Sequence, residues 1–384
     1  MVPTNKKIAV LHPYVNKKGG AVNMMIYLSD YLSNNNNDVT FYTFSYDNII
    51  FPMKNRVISF TNSKLVSFFK IAYCIRDNDF IIIGNSPMHF VGVFSKLLFG
   101  SKAKIIWWHH HYPWYYGGNT NVTIKLKRLI EKTFLKYIDI VIANSKYLQD
   151  SIKDIYNIDS KILYPILDNK FLDYNSENKN KSQTSHLSTG FTHKGINSLP
   201  LSGERGYNET KKIIFSYGRW VFGKNIELVF DTYDNLKNEI RELVLIIGGE
   251  GEELNKYKNK YKDDINVVFL GIINKDQIIK TLEKSTIVLF PSKIDSFGLV
   301  ILESMSIGVP VVSYNIAGAK EIINNGLNGY LVNSQNEFIS KTYEILNNSS
   351  LRNSLSIEAL NTANVFTKNN FKKSLSEIFD SIKY

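Results

Sequence analysis

The chain lacks three things whose absence narrows the field. It has a single cysteine, Cys74, so no internal disulfide forms and nothing requires an oxidising compartment. It has no uncharged apolar stretch of about 18 residues; the best candidate, Phe80 to Phe99, is interrupted by Asn85, Pro87, His89 and Lys96. Met1 to Leu11 carries two lysines and then a short apolar run, so it reads as a first strand and not as a signal peptide. A soluble or membrane-peripheral protein is expected. It also lacks a helix-turn-helix, zinc-finger or ribonucleoprotein motif, which leaves charge as the only argument for nucleic acid.

What is present is ordinary in bulk and uneven in charge. A chain of 384 residues with 44% hydrophobic and 21% charged residues can bury two or three globular cores. The net charge is +11, and residues 1–170 hold 21 Lys/Arg against 11 Asp/Glu, while residues 211–384 hold 21 against 20. A surplus confined to the first half suits an anionic partner such as a membrane surface, a polyanion or nucleic acid, or simply a solvated basic surface.

The hydrophobic pattern alternates strand and helix twice. Strands are expected at Lys7–Leu11, Val39–Phe44, Phe80–Ile83, Ile105–Trp108, Ile140–Ala143 and Ile162–Tyr164, with helices at Val22–Leu32, Ile124–Tyr137 and Ser145–Tyr156. Residues 173–210 are rich in Asn, Ser, Thr, Gly and Lys and have no period, so they read as a flexible polar linker. The alternation then resumes with strands at Lys212–Tyr217, Leu243–Ile247, Val267–Leu270, Ile287–Phe290 and Val309–Ser313. Helices follow at Asn225–Lys237, Lys275–Lys284, Leu299–Ile307 and Glu337–Leu346, and Lys368 to Ile382 forms a last amphipathic one. Continuous apolar strands between helices imply parallel sheets covered on both faces. The predicted division is a domain at 1–172, the linker at 173–210, a domain at 211–367 and a C-terminal helix at 368–384 that packs back on the first domain. Two such α/β domains would offer ligands the carboxyl ends of their strands across a shared cleft.

Several segments at those strand ends can carry chemistry. Gly19-Gly20 precedes the first helix, where backbone amides and the helix dipole favour a phosphate, although a glycine pair also simply turns a chain. The surroundings do not match the dinucleotide fingerprint. Arg219 and Lys224 flank a strand-to-helix turn and would form a pyrophosphate clamp, or remain two solvated cations. Gly248-Gly249-Glu250-Gly251 would admit a ligand closely or turn the backbone. In Phe290-Pro291-Ser292-Lys293-Ile294-Asp295-Ser296-Phe297-Gly298-Leu299-Val300-Ile301-Leu302-Glu303 two carboxylates, Asp295 and Glu303, bracket a helix start. Carboxylates accept hydrogen bonds from sugar hydroxyls, while the amides of Phe297 to Leu299 suit a phosphate or polarised oxygen; the alternative is an N-cap aspartate and a surface glutamate. Consecutive His109-His110-His111 cannot converge on one ion in extended chain, so no metal is expected there. Ile124 to Lys132 is basic and amphipathic, fit for a membrane interface or for covering the sheet.

Taken together, Gly-Arg-x4-Lys, Pro-Ser-x3-Asp-x-Phe-Gly-x4-Glu-Ser-Met-x-x-Gly-Val-Pro-Val-Val and Ala317-Gly318-Ala319-Lys320-Glu321 resemble the retaining glycosyltransferases of family 4. In the first half, Gly19-Gly20, Ala143-Asn144-Ser145 and Tyr164-Pro165 are similar to that family's glycine loop and its Asn-Ser and Tyr-Pro signatures. The resemblance implies the GT-B fold: two Rossmann-like, doubly wound parallel-sheet domains facing a cleft. It implies transfer of a sugar from a nucleoside-diphosphate sugar to a hydroxyl acceptor, lipid-linked or on a cell-surface glycan, with retention and without a metal or other cofactor. By position, Arg219 and Lys224 would bind the donor diphosphate and Glu303 the ribose. Asp295, with the Phe297–Leu299 amides and Ser296 beside them, would hold the sugar. Gly19, Gly20, Gly249 and Gly298 would line the donor site, and His111, with His109 next, would lie against the sugar. Where the family usually has Glu at the first carboxylate, this chain has Asp295. The implied partners are the donor, the acceptor and an anionic membrane surface, with no nucleic acid; the implied location is the cytoplasm, peripheral on the inner face of the plasma membrane. The rivals are a sugar-nucleotide epimerase of similar fold and a non-catalytic basic protein binding membrane or nucleic acid.

Overall fold

A computed structural model describes residues 1–16, 19–49, 53–60, 63–110, 122–174 and 211–382, with only the backbone given for 122–127. His111 and residues 175–210 of the expected linker lie outside the described residues. The chain forms two compact units, one of residues 1–166 with 368–384 and the other of residues 167–367. The first boundary thus falls at 166/167, where the sequence reading puts it at 172/173, because Leu167 and Phe171 are buried in the second unit's core.

The first unit is built on seven parallel strands: β1 (Lys7–Leu11), β3 (Asp38–Thr43), β5 (Arg56–Ser59), β6 (Phe80–Ile83), β7 (Lys104–His109), β8 (Ile140–Ala143) and β9 (Lys161–Ile162). Their order is β5-β3-β1-β6-β7-β8-β9, and a small pair, β2 (Tyr14–Val15) with β4 (Ser45–Tyr46), stands apart. Side chains alternate across each strand, so the central strands feed two cores. Ile8, Val10, Ile82, Ile106 and Trp108 enter the core that also takes Met25 and Leu28 of α1 (Gly20–Ser33). Ala9, Leu11, Ile81, Ile83, Ile105 and Trp107 enter the other, beneath α2 (Lys64–Cys74), α3 (Met88–Phe99), α4 (Val122–Leu135) and α5 (Lys146–Tyr156).

The second unit repeats the plan with six parallel strands: β10 (Lys212–Tyr217), β11 (Leu243–Gly248), β12 (Val267–Gly271), β13 (Ile287–Phe290), β14 (Val311–Tyr314) and β15 (Tyr330–Val332), in the order β12-β11-β10-β13-β14-β15. One face carries α6 (Ile226–Leu236), α7 (Asn255–Lys260) and α11 (Gln335–Asn347). The other carries α8 (Lys275–Leu282), α9 (Leu299–Ser306), α10 (Ala317–Lys320) and the C-terminal part of α12 (Ser349–Ala363), whose Leu355 enters the core on the first face. The last helix, α13 (Lys368–Asp380), belongs to the first unit, where the Phe371 ring meets Tyr27 edge-on at 5.5 Å and Phe379 meets Phe80 at 5.4 Å. The fold is two Rossmann-like parallel-sheet α/β units.

Several elements were not read from the sequence. Strands β5 and β15 are short, and the α2 pattern is apolar nearly all round. In α12, Leu351, Leu355, Ala359 and Ala363 recur every fourth residue among serines and asparagines, a stripe too weak to read. Strand β9 ends at Ile162, two residues before the expected Tyr164 and three before Pro165, which cannot donate to a ladder.

Candidate functional site

In the second unit the chain runs from β10 outward to β11 and β12, then returns to place β13 on the other side of β10. The crevice at the carboxyl ends of β10 and β13 is therefore the unit's topological switch point, the usual ligand position in open α/β sheets. The strongest sequence segments meet there. Gly218-Arg219 ends β10, and Pro291 to Gly298 joins β13 to α9.

Asp295 is held from two sides. Its Oδ1 accepts from the amides of Phe297 (3.1 Å) and Gly298 (2.8 Å), and its Oδ2 pairs with Lys224 Nζ at 2.7 Å. Burial works against its charge, but the Lys224 ammonium and the two amides outweigh it and hold the carboxyl below the usual aspartate range. Gly298 stands at φ 93° as the N-cap of α9, a left-handed position glycine adopts without strain. Gly318 of α10 packs beneath the same loop, since a Cβ there would sit 2.6 Å from the Phe297 nitrogen and 2.7 Å from the Asp295 carbonyl oxygen. The Ala-Gly of that motif thus serves the fit of one loop on another.

Glu303 lies in α9 and is 6% exposed. Its Oε2 accepts from the Tyr217 hydroxyl at 3.1 Å, and its Oε1 pairs with Lys275 at the start of α8. Burial and the facing Glu303 carboxylate push the Tyr217 phenol well above its ordinary range. Tyr217 and Lys275 are expected from the sequence only as element ends, with no role in the site. The available signal is their position, one ending a strand and the other opening a helix.

Arg219 is exposed at the end of β10. Gly249, at φ 96°, could not carry a side chain, because a Cβ would lie 1.9 Å from the Gly218 carbonyl oxygen; a Cβ on Gly251 would lie as close to that of Trp220. Bonds from Trp220 N to Glu250 O (2.9 Å) and from Trp220 Nε1 to Gly248 O (2.9 Å) stitch the two loops together. The glycines at the end of β11 are required by this packing against the 218–220 loop. Ser296 and Leu299 are half-buried and Phe297 is buried within the same turn.

The first unit has its own switch point between β1 and β6. His12, just beyond β1, and Asn85, just beyond β6, face one another there, with His12 Nε2 3.2 Å from Asn85 Nδ2 and His12 Nδ1 3.0 Å from Tyr14 O. Neither residue sits in a local motif that marks it in the sequence. Gly19, extended at φ −172°, is the N-cap of α1, and a Cβ built on it would touch nothing within 4 Å; Gly20 is the helix's first residue. Neither packing nor strain demands a glycine at 19. His109 and His110 are buried, their rings 4.4 Å and 4.5 Å from those of Trp107 and Trp108, so they serve the core at the end of β7. Ser145 caps α5, accepting from Leu148 N at 3.1 Å.

The chain does hold one Asp-x-Asp sequence, Asp77-Asn78-Asp79. It precedes β6, where Asp79 accepts from the Lys7 amide at 2.8 Å and Asp77 pairs with Arg76. Both carboxylates are used structurally. Among the described residues no three His, Cys, Asp or Glu side chains converge as a metal site.

Two family models match the chain in tandem, Glycosyltransferase Family 4 over residues 18–168 and Glycosyl transferases group 1 over residues 201–362. The fold they accompany is the GT-B fold. Anabaena HepE, solved with UDP and glucose, superposes with a TM-score of 0.77 at 16% identity, covering 98% of this chain and 100% of that one. TarM of S. aureus gives 0.75 at 15% identity, covering 98% and 99%. Among curated proteins, N-acetyl-alpha-D-glucosaminyl L-malate synthase of Bacillus anthracis is 33% identical over 135 residues, 34% of each chain. The uncharacterized glycosyltransferase MJ1607 of Methanocaldococcus jannaschii is 32% identical over 139 residues, again 34% of each. The chain spans about a third of the length of these two curated relatives.

Proposed function

We propose that the protein is a retaining glycosyltransferase that moves a sugar from a nucleoside-diphosphate sugar to a hydroxyl of a lipid-linked or cell-surface glycan. The observation that carries this reading is the apposition of Lys224 and Asp295, 2.7 Å apart at the N-terminus of α9 and at the switch point of the second unit. In a sugar nucleotide the β-phosphate is bonded to the anomeric carbon. A cation for the phosphate and a carboxylate for the sugar hydroxyls must therefore be immediate neighbours, and here they are.

Lys224, with Arg219, stabilises the charge that develops on the leaving diphosphate, and the α9 amides add their dipoles. The anomeric C–O bond to phosphate breaks and the bond to the acceptor oxygen forms on the same face. The acceptor proton passes to the departing phosphate oxygen, so no protein base is needed. With two cations supplying the charge, the reaction calls for no metal or other cofactor. Glu303 takes the ribose hydroxyls, positioned by Lys275 and Tyr217. Gly19 and Gly20 open the α1 amides to the donor, and His111 is assigned to the sugar. The acceptor places the work at the inner face of the plasma membrane, from the cytoplasmic side.

The matched families and the UDP-containing HepE structures support UDP-hexoses as the first donors to try. Thermal stabilisation by UDP-, GDP- and ADP-sugars and their bare diphosphates identifies the nucleotide. Glu303→Gln should then weaken binding of the bare diphosphate by about tenfold, the loss of one charged hydrogen bond. A chain that binds none of the panel, or binds them equally well after Glu303→Gln, would overturn the reading.

A further inference from the structure

Helix α2 has two apolar faces. One, through Ile71, Ala72 and Ile75, enters the core; the other, Leu65, Val66, Phe69 and Tyr73 at helical spacing, is exposed. The neighbouring α3 adds exposed Leu97 and Leu98. Ring contacts bind the helices into one surface: Phe68 to Phe94 at 5.5 Å, Tyr73 to Phe99 at 5.5 Å, and Phe94 on to Phe134 of α4 at 5.7 Å. Beyond Phe134, α4 exposes Leu129 and Ile130. A helix that turns an apolar stripe outward as well as inward is a mark of an interaction surface.

The charge around this surface says what covers it. Residues 48–139, which contain all three helices, hold thirteen Lys/Arg against four Asp/Glu, most of the surplus of the first 170 residues. Asp139 pairs with Lys96 and Lys104, and the other three acids leave the exposed lysines of the face unopposed. Asp77 pairs with Arg76, Asp79 is bonded to the Lys7 amide, and Glu131 is buried. Lys64 and Lys70 of α2, and Lys102 just past α3, are exposed. A second copy of this face would bring cations against cations.

We propose that the α2–α3 face is a docking surface for an anionic lipid bilayer, with Leu65, Phe69, Leu97 and Leu98 entering the interface and Lys64, Lys70 and Lys102 meeting the headgroups. It rests on the acceptor reading above only for its purpose. Its test uses neither donor nor acceptor, so either reading fails without the other.

The protein supplies its own probe. Cys74, exposed at the end of α2, is the chain's single cysteine, and an environment-sensitive thiol dye attached there reports on the face. With vesicles of phosphatidylglycerol and phosphatidylcholine the dye should brighten and shift to the blue, and the protein should co-sediment; with phosphatidylcholine alone it should do neither. Leu65→Ser with Leu98→Ser, at positions 69% and 55% exposed, and separately Lys64→Glu with Lys70→Glu, should each weaken binding at least about tenfold. Ile265→Ser, an exposed apolar residue of the second unit, should leave it unchanged. Equal partitioning into neutral vesicles, no dye response, or the same loss from Ile265→Ser would overturn the proposal. A dye signal that rises with protein concentration without lipid would overturn it too, giving the face to a second copy.

Discussion

Replacing Asp295 by Asn should move nucleotide affinity and turnover in opposite directions. In the structure Asp295 neutralises the cation proposed to hold the diphosphate, at 2.7 Å. Across that distance a pair of unit charges attract by about 1.5 kcal/mol with water-like screening and about 6 kcal/mol at an effective dielectric of about 20. Both side chains are partly exposed, and half-exposed pairs keep about 1 kcal/mol after desolvation and entropy. A diphosphate binding Lys224 must displace that pairing. Asn keeps an oxygen for the Phe297 and Gly298 amides but presents an NH2 to Lys224, which frees the ammonium. UDP, titrated calorimetrically, should therefore bind about fivefold tighter to Asp295→Asn than to the parent, the equivalent of about 1 kcal/mol. Turnover of the donor found in the screen should fall about 100-fold or more, because the carboxylate contact to the sugar is lost where charge develops. Lys224→Met should lose both. If Asp295→Asn weakens UDP binding while melting normally, Asp295 contacts the nucleotide and the division of roles is wrong.

Two further predictions concern stability. Gly249→Ala places a Cβ 1.9 Å from the Gly218 carbonyl oxygen at a positive φ, so the second unit should lose roughly 2–4 kcal/mol in urea unfolding; a loss under about 1 kcal/mol would show that the two loops part easily. Asp139 accepts from the Ile105 amide at 2.8 Å and from Lys96 at 2.7 Å and Lys104 at 3.3 Å. Burial opposes its charge, yet these partners hold its carboxyl below the ordinary range. A depressed folded-state pKa stabilises above the unfolded value and is lost as pH falls through the folded one. Asp139→Asn should thus cost about 1–2 kcal/mol at pH 7 and progressively less below about pH 4; a difference that persists unchanged at pH 3 would refute the electrostatic account.

The legible parts of the fold were those with strong local patterns. Phe80–Ile83, Ile140–Ala143, Lys212–Tyr217 and Ile287–Phe290 are the strands as expected, residue for residue, because a parallel strand buried on both faces is an unbroken apolar run. Helix α2 was not read because its outward stripe is as apolar as its inward one, and α12 because its stripe is weak. The site divides in the same way. Gly298 at the α9 start and the carboxylates around it could be seen in sequence because a helix N-terminus carries its own local signature.

Sequence alone determined the two rounds of strand and helix, the positions of Asp295 and Glu303 around one helix start, and the basic surplus of the first half. These are properties of near neighbours along the chain. Tertiary structure decided which charges meet. Lys224 is 71 residues from Asp295, Lys275 is 28 from Glu303 and Tyr217 is 86; only the order of strands in the sheet brings each pair to one crevice. It also decided that Gly249 answers to the Gly218 carbonyl, that His109 and His110 belong to the core, and that α13 completes the first unit from the far end of the chain. Periodicity fixes which face of an element is buried, but the partner buried against it is set by crossovers and packing, and no local window of sequence contains those.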